Sequence, residues 1–325
     1  MVSRTATLGL SLAVWTLVLT HAAISYAGDA QGGGQIAAHG RALAREQTLV
    51  VGRVSRSAAK YQNSLEAMAD WLATRLQGTP IRAGAALVVP TMKDMIDALR
   101  SGRVDLVSES VLTALAYEEH AGARVFMHEW RDGQSMYQSV FFTHRDSAIF
   151  SLRDLIGRRI AFEDRGSTSG FLMPMAALLS AGLDPARLAA NDRPVPQGRV
   201  GYVFAGSEEN ISAWTANGLV VAGAFSIPNW GSNTTNPPAY REKLRIFFVT
   251  APLPRSVLVL RAGLDPTVGE RLTRALIDYP DASDAAGVRG VYFRNVRFTP
   301  FSGESGRALD AARAMYGLVR TKVGD

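Results

Sequence analysis

The chain has 325 residues, 47% of them hydrophobic and 20% charged, with a formal net charge of +6 and no cysteine. That length exceeds one ordinary core and predicts two lobes. The missing cysteine excludes disulfides, thiolate metal sites, a catalytic thiol and a lipid-modified N-terminal cysteine, and scattered basic residues without a block or an aromatic-interleaved stripe argue against nucleic-acid binding.

The N-terminus reads as a cleavable export signal over residues 1–27. Arg4 precedes an uncharged run from Leu8 to Leu19, and Ser25-Tyr26-Ala27 gives a small-x-small cleavage pattern. The run is too short to span a membrane, and no later segment looks transmembrane. Cleavage removes one Arg and no acid, leaving 34 − 29 = +5, a field that steers anions. Residues 28–47 are rich in Gly, Ala and Gln without periodicity and are expected to be a disordered leader.

Order is expected from Leu49 as a strand, followed by a helix over Asn63 to Gln77 with Leu65, Met68, Ala69 and Leu72 on one face. Leu87 to Val89 is a second strand. Thr91 to Ser101 is a helix opened by a capping-box pattern, and Val104 to Val107 is a third strand. Met136 to Thr143 is a long extended segment, too aromatic for a linker. A second series follows: strand Arg159–Phe162, the hydroxyl-rich stretch and its helix, strand Gly201–Phe204, helix Asn210–Asn217 and strand Leu219–Ala224. Leu244–Val249 and Ser256–Leu260 are extended, and helical patterns over Pro266–Asp278 and Ser305–Lys322 close the chain. Alternating strands and helices predict an α/β fold of two lobes, each a mostly parallel sheet flanked by helices. Residues 48–135 and 255–325 are assigned to lobe 1 and 136–254 to lobe 2, with crossover strands near 136–144 and 247–260. The cleft of such a clamshell lies at the crossovers.

Gly166-Ser167-Thr168-Ser169-Gly170 sets three hydroxyls between two glycines, ahead of a helix that is apolar nearly all round. Serine is a preferred N-cap, so Ser169 can merely cap the helix. Three hydroxyls exceed that need, and with curled backbone N–H groups and a helix dipole they can also bind an anionic oxygen cluster such as phosphate. Nucleophilic catalysis fits poorly. Thr168 holds the central position of the G-x-S-x-G mimic and no histidine follows His144. Ser57-Ala-Ala-Lys60 matches S-x-x-K but lacks its companion motifs. His120, His128 and His144 show no ligand spacing, so neither metal nor cofactor is expected.

At these residues the sequence resembles a known family. Ser151 to Phe162, Ser167-Thr-Ser-Gly-Phe-Leu-Met-Pro174, Ala205-Gly-Ser-Glu-Glu-Asn210 and Ala98 to Ala116 resemble the periplasmic substrate-binding proteins of ABC transporters for phosphate, phosphite and phosphonates (the PhnD-like type). The resemblance covers Leu49 to Leu309. It implies a type II-like periplasmic-binding-protein clamshell that is not an enzyme, with Ser167, Thr168 and Ser169 holding a small oxyanion. It implies delivery to an ABC permease, with a ligand-sensing subunit of a membrane histidine kinase as the alternative, and a soluble monomer.

Two positions depart from the family. Ser207 stands where relatives carry a His. Glu109, between Ser108 and Ser110, stands where they often carry a Tyr. A carboxylate there is repelled by a dianion unless it accepts a proton or meets a cation, whether a ligand ammonium or Arg53 or Arg56. Ser108, Glu109, Ser207, Tyr137 and Asn229 are therefore candidate ligand contacts beside the hydroxyl cluster, and Arg255 lies on the second crossover.

Overall fold

The computed structural model describes residues 36–38, 41–43, 45–55, 57–190, 193–292 and 296–323; the predicted signal lies outside them. In the predicted leader, β1 (Ile36–Ala38) pairs antiparallel with β2 (Arg41–Leu43). Arg45, ahead of the predicted start, is anchored by Asp105. This buried carboxylate receives Arg45 Nη2 at 2.8 Å, Arg261 Nε at 2.7 Å and the Val50 amide at 2.8 Å.

The first lobe runs β3 (Thr48–Val54), α1 (Gln62–Thr74), β4 (Ala83–Val89), α2 (Met92–Arg100), β5 (Leu106–Glu109), α3 (Val111–Ala121) and β6 (Arg124–Trp130). The chain then crosses through β7 (Met136–Tyr137) into β8 (Ser139–His144), β9 (Arg159–Phe162), α4 (Met173–Ser180), β10 (Pro185–Arg187), β11 (Val200–Phe204), α5 (Glu208–Ala216), β12 (Ala222–Ser226), α6 (Ile227–Gly231), α7 (Pro238–Arg241) and β13 (Leu244–Val249). It returns through β14 (Leu253–Pro254) to β15 (Ser256–Leu260), α8 (Pro266–Asp278), α9 (Ala286–Val291), β16 (Arg297–Thr299) and α10 (Gly303–Val323).

Two six-stranded sheets result, ordered β16-β6-β15-β5-β3-β4 and β10-β11-β9-β12-β8-β13. Both are mixed: most strands of each share one direction, as expected, and antiparallel strands join them. β4, β3 and β5 run parallel, but β15 enters antiparallel to both β5 and β6, and β16 is antiparallel to β6. In the second sheet β10, β11, β9 and β12 are parallel, and β8 is antiparallel to β12 and β13. The cause is the crossover. Each strand carrying the chain between lobes joins its new sheet in the middle with its direction already set. The crossing segments themselves pair, β7 with β14, as a two-stranded antiparallel ribbon.

Lobe 1 buries the predicted face of α1 (Leu65, Met68, Ala69 and Leu72) against β3 and β4. Gly84 permits that approach: a Cβ there would lie 2.1 Å from the Ala69 carbonyl carbon and 2.2 Å from the Asp70 nitrogen. Backbone cannot yield as a side-chain tip can, so Gly84→Ala is expected to destabilise the fold by about 3 kcal/mol. A urea midpoint unchanged from wild type would refute this. In lobe 2, Phe162, Phe171, Tyr202 and Phe204 form an aromatic cluster with centroids 5.0–5.7 Å apart, seating the helix after the hydroxyl stretch. The last helix, α10, touches both lobes. Tyr316 Oη and Arg320 Nη1 each bond Glu119 at 2.6 Å, while Lys322 Nζ lies 2.5 Å from Asp184.

Candidate functional site

β9 ends at Phe162, and the turn after it delivers the hydroxyl stretch to the edge of lobe 2. The Ser167 hydroxyl accepts the Gly170 amide at 2.9 Å, so Ser167 is the cap. The Leu172 amide bonds Ser167 O at 2.9 Å, winding Thr168–Leu172 as one wide turn with five-residue spacing before α4. Gly170 must be glycine. A Cβ would meet Glu163 Cβ at 2.7 Å and Ser167 Oγ at 2.8 Å. The amides of Thr168 and Ser169, in this first turn, have no partner within the helix and lie at its positive end.

Thr168 is buried against lobe 1, where its Oγ1 donates to Ser110 Oγ at 2.9 Å. Ser110 occupies the N-cap position of α3, and Thr113 in the first turn of α3 donates to Gly166 O at 3.2 Å. The N-termini of two helices, one per lobe, thus meet across a pair of hydroxyls. Two positive helix ends are unfavourable neighbours without a negative charge between or beside them. Glu109 supplies part of that charge: its Oε1 accepts the Ser110 amide at 2.7 Å and the Ser110 hydroxyl at 3.1 Å.

The ribbon closes the third side. Tyr137 is buried, and its phenol interacts with the Thr168 hydroxyl. Burial pushes that phenol up to about 12, against the opposing influence of Arg255 and Thr168, so it stays neutral. The Arg255 guanidinium carbon stands 4.9 Å from the Tyr137 ring centroid. Beneath lobe 1's part of the site Glu129 is wholly buried. It accepts Ser108 Oγ at 2.7 Å, Ser256 Oγ at 2.5 Å and Tyr292 Oη at 3.1 Å, and it pairs with Arg131 Nη2 at 3.1 Å. Burial drives the Glu129 carboxyl upward, but Arg131, Ser256 and Ser108 outweigh it and hold the group below its usual range.

On lobe 2, Glu163 and Glu208 flank the cradle. Glu163 interacts with the Ser167 hydroxyl and Glu208 accepts from Asn229 Nδ2. Burial followed by repulsion from Glu163 raises Glu208 to about 7, while Asn229 and Arg255 act the other way and Asp164 adds to the rise. A carboxyl raised in the folded state binds more protons there than in the unfolded chain. Stability should therefore be highest below the ordinary carboxylate range and fall as pH climbs toward 7, by on the order of 2 kcal/mol. Glu208→Gln is expected to flatten the melting temperature between pH 5 and 7.5; an equally steep variant would exclude Glu208 as the cause.

Residues 54–304 match the family described as "ABC transporter, phosphonate, periplasmic substrate-binding protein". The chain belongs to this family. A phosphonates-binding periplasmic protein of Escherichia coli K12 is 25% identical over 235 residues, 71% of this chain and 65% of that one. A probable phosphite-binding protein of an ABC transporter from Prochlorococcus marinus is 28% identical over 152 residues, 45% of this chain and 48% of its own. The matches thus span about two thirds and about half of these relatives. XAC2383 of Xanthomonas citri, solved with chloride and with ATP, is 33% identical with TM-scores of 0.80 and 0.78. The match covers 85% of this chain and 99% and 98% of those structures.

The family is one of periplasmic substrate-binding proteins, and the chain has a two-lobed α/β fold. Among its described residues no helix is long and apolar enough to cross a membrane. Of the residues singled out from sequence, Thr168, Ser169, Glu109 and Tyr137 gather where the lobes meet. Three are placed otherwise. Ser108 turns into lobe 1, its hydroxyl bonded to Glu129 and accepting Arg131 Nη2 at 2.6 Å, because strand alternation sends it away from the cleft. Ser207 caps α5 by accepting the Asn210 amide at 3.2 Å. Asn229 serves Glu208. Glu109 bonds Ser110 and stands 3.5 Å from the Tyr117 hydroxyl; Arg56 lies outside the described residues. Ser110, Glu163, Glu208, Glu129 and Arg131 were not anticipated. The signal for Glu129 was a carboxylate in β6, just beyond the apolar Val125–Met127.

Proposed function

We propose that this protein captures a small phosphorus oxyanion, such as phosphate, phosphite or a phosphonate, between its lobes and delivers it to an ABC permease. The meeting of two helix N-termini at the Thr168–Ser110 hydroxyl pair carries this reading. Amide dipoles and hydroxyls converge there on a point that favours negative charge. In this reading Thr168 and Ser169 contact the ligand, Ser167 holds the turn in shape, and Glu109 must share a proton with the ligand or move aside. Residues 1–27 direct export, leaving a soluble periplasmic monomer. Binding stabilises the closed arrangement by its greater affinity for it, and the closed form engages the permease. The chemistry is capture without turnover.

The test is a thermal-shift series with phosphate, phosphite, methylphosphonate, sulfate and ATP, the last because the Xanthomonas citri relative was solved with it. A ligand at a hundred times its dissociation constant should add about 2.7 kcal/mol of stability. A shift with at least one phosphorus compound and none with sulfate is expected; no shift with any would reject the reading. The sensor alternative has one observation in its favour. A tetrathionate sensor histidine kinase of Salmonella typhimurium is 32% identical over 101 residues, 30% of this chain and 17% of that protein. Co-purification of the loaded protein with a kinase rather than a permease would favour it.

A further inference from the structure

The cradle offers partners for the oxygens of one phosphoryl group, and it leaves Arg255 unused. Arg255 lies between β14 and β15, where its amide donates to Ser135 O at 2.7 Å and fixes the residue on the ribbon. Its side chain is half-buried and stacked on Tyr137. Elsewhere Arg131 is matched to Glu129, and Arg45 and Arg261 to Asp105, while half-buried Arg159, Arg245 and Arg289 donate to backbone carbonyls; within the described residues no such bond is seen from the Arg255 guanidinium. Among the described residues no carboxylate lies within ion-pairing distance of Arg255. Asp132 and Glu208 reach it only as more distant charges, and Arg131 adds repulsion. Tyr137 cannot serve as its counter-ion, being a neutral phenol turned toward Thr168. That ring is a rigid spacer, with the cradle at its hydroxyl and a guanidinium on its face.

Taking a phosphoryl group in the cradle as given, we propose that Arg255 is the specificity-determining cation of the cleft. The preferred ligand then carries a second anionic group, a carboxylate or another phosphoryl, close to the cradle-bound one. A guanidinium presents a planar fork of donors suited to such groups and is charged at every physiological pH. The same charge repels an ammonium, so aminoalkylphosphonates are disfavoured. Glu163 and Glu208 face the cradle from lobe 2 and would favour an ammonium instead. The two arrangements therefore predict opposite preferences, which one experiment separates.

Isothermal titration of the purified protein with methylphosphonate, phosphonoacetate and 2-aminoethylphosphonate provides that experiment. Phosphonoacetate is expected to bind at least about tenfold more tightly than 2-aminoethylphosphonate, the worth of one charge-assisted contact. Arg255→Gln should bring that ratio to within about threefold, and Arg255→Lys, which keeps the charge without the fork, should retain part of it. In wild type the ratio should also shrink as salt rises, a readout that needs no variant. A preference for 2-aminoethylphosphonate, or a ratio unchanged in Arg255→Gln, would overturn the proposal while binding of methylphosphonate kept the phosphoryl reading intact. If wild type binds none of the three, both fall together.

Discussion

Replacing Glu129 by alanine is expected to destabilise the protein by about 3–5 kcal/mol. The carboxylate is fully buried and receives Ser108, Ser256 and Tyr292 while balancing Arg131, which is only 13% exposed. Removing it takes the counter-charge from the buried guanidinium and an acceptor from three hydroxyls, so the cost is set by what is left behind. Glu129→Gln keeps the shape but not the charge and should recover only part of the loss. The check is urea unfolding of both variants with an unchanged slope. A loss below about 1 kcal/mol for the alanine variant would mean that water or another acid compensates Arg131. Because Ser108 sits on β5 one residue before Glu109, the damage should also reach the cleft and weaken ligand binding secondarily.

The second large effect concerns binding. The double variant Thr168→Val, Ser169→Ala removes two hydroxyls at the helix start while leaving the first-turn amides in place. Hydrogen bonds to a charged ligand contribute about 1.5–3 kcal/mol each, so affinity for the best phosphorus ligand should fall on the order of a hundredfold. Valine is nearly isosteric with threonine, and ligand-free melting should change little beyond the loss of the Ser110 and Tyr137 contacts. Ser167→Ala should behave differently, costing roughly 1 kcal/mol of stability through the lost cap with a smaller effect on affinity. Equal affinities for the double variant and wild type would place the anion elsewhere.

What the sequence made legible was local. The hydroxyl stretch was readable because glycine, hydroxyls and an apolar helix lie within a few residues, and the strands of lobe 1 because Leu49–Val51 and Leu87–Val89 are uninterrupted apolar runs. The mixed sheets were not readable, since the partners of β8 and β15 come from far along the chain and no residue in either strand encodes its neighbour's direction. The site divides the same way. Ser108 and Ser207 lay in suggestive motifs, but strand alternation and a helix cap decided where their hydroxyls point. Glu163 and Glu208 belong to different elements of lobe 2, and their coupling exists only once β9 and α5 are brought together.

The placement of α10 bears on how the clamshell works. The helix is tied to α3 of the first lobe through Glu119 and to the second through Lys322 and Asp184. The helix also packs along α4 of the second lobe, so parting the lobes must break that packing as well as the ion pair, or carry the helix along. Lys322 and Asp184 are 41% and 49% exposed, so that tether contributes no more than about 1 kcal/mol and is screened by ions. In the reading proposed above, ionic strength weakens the attraction of the cleft for an anion and loosens this one tether as well.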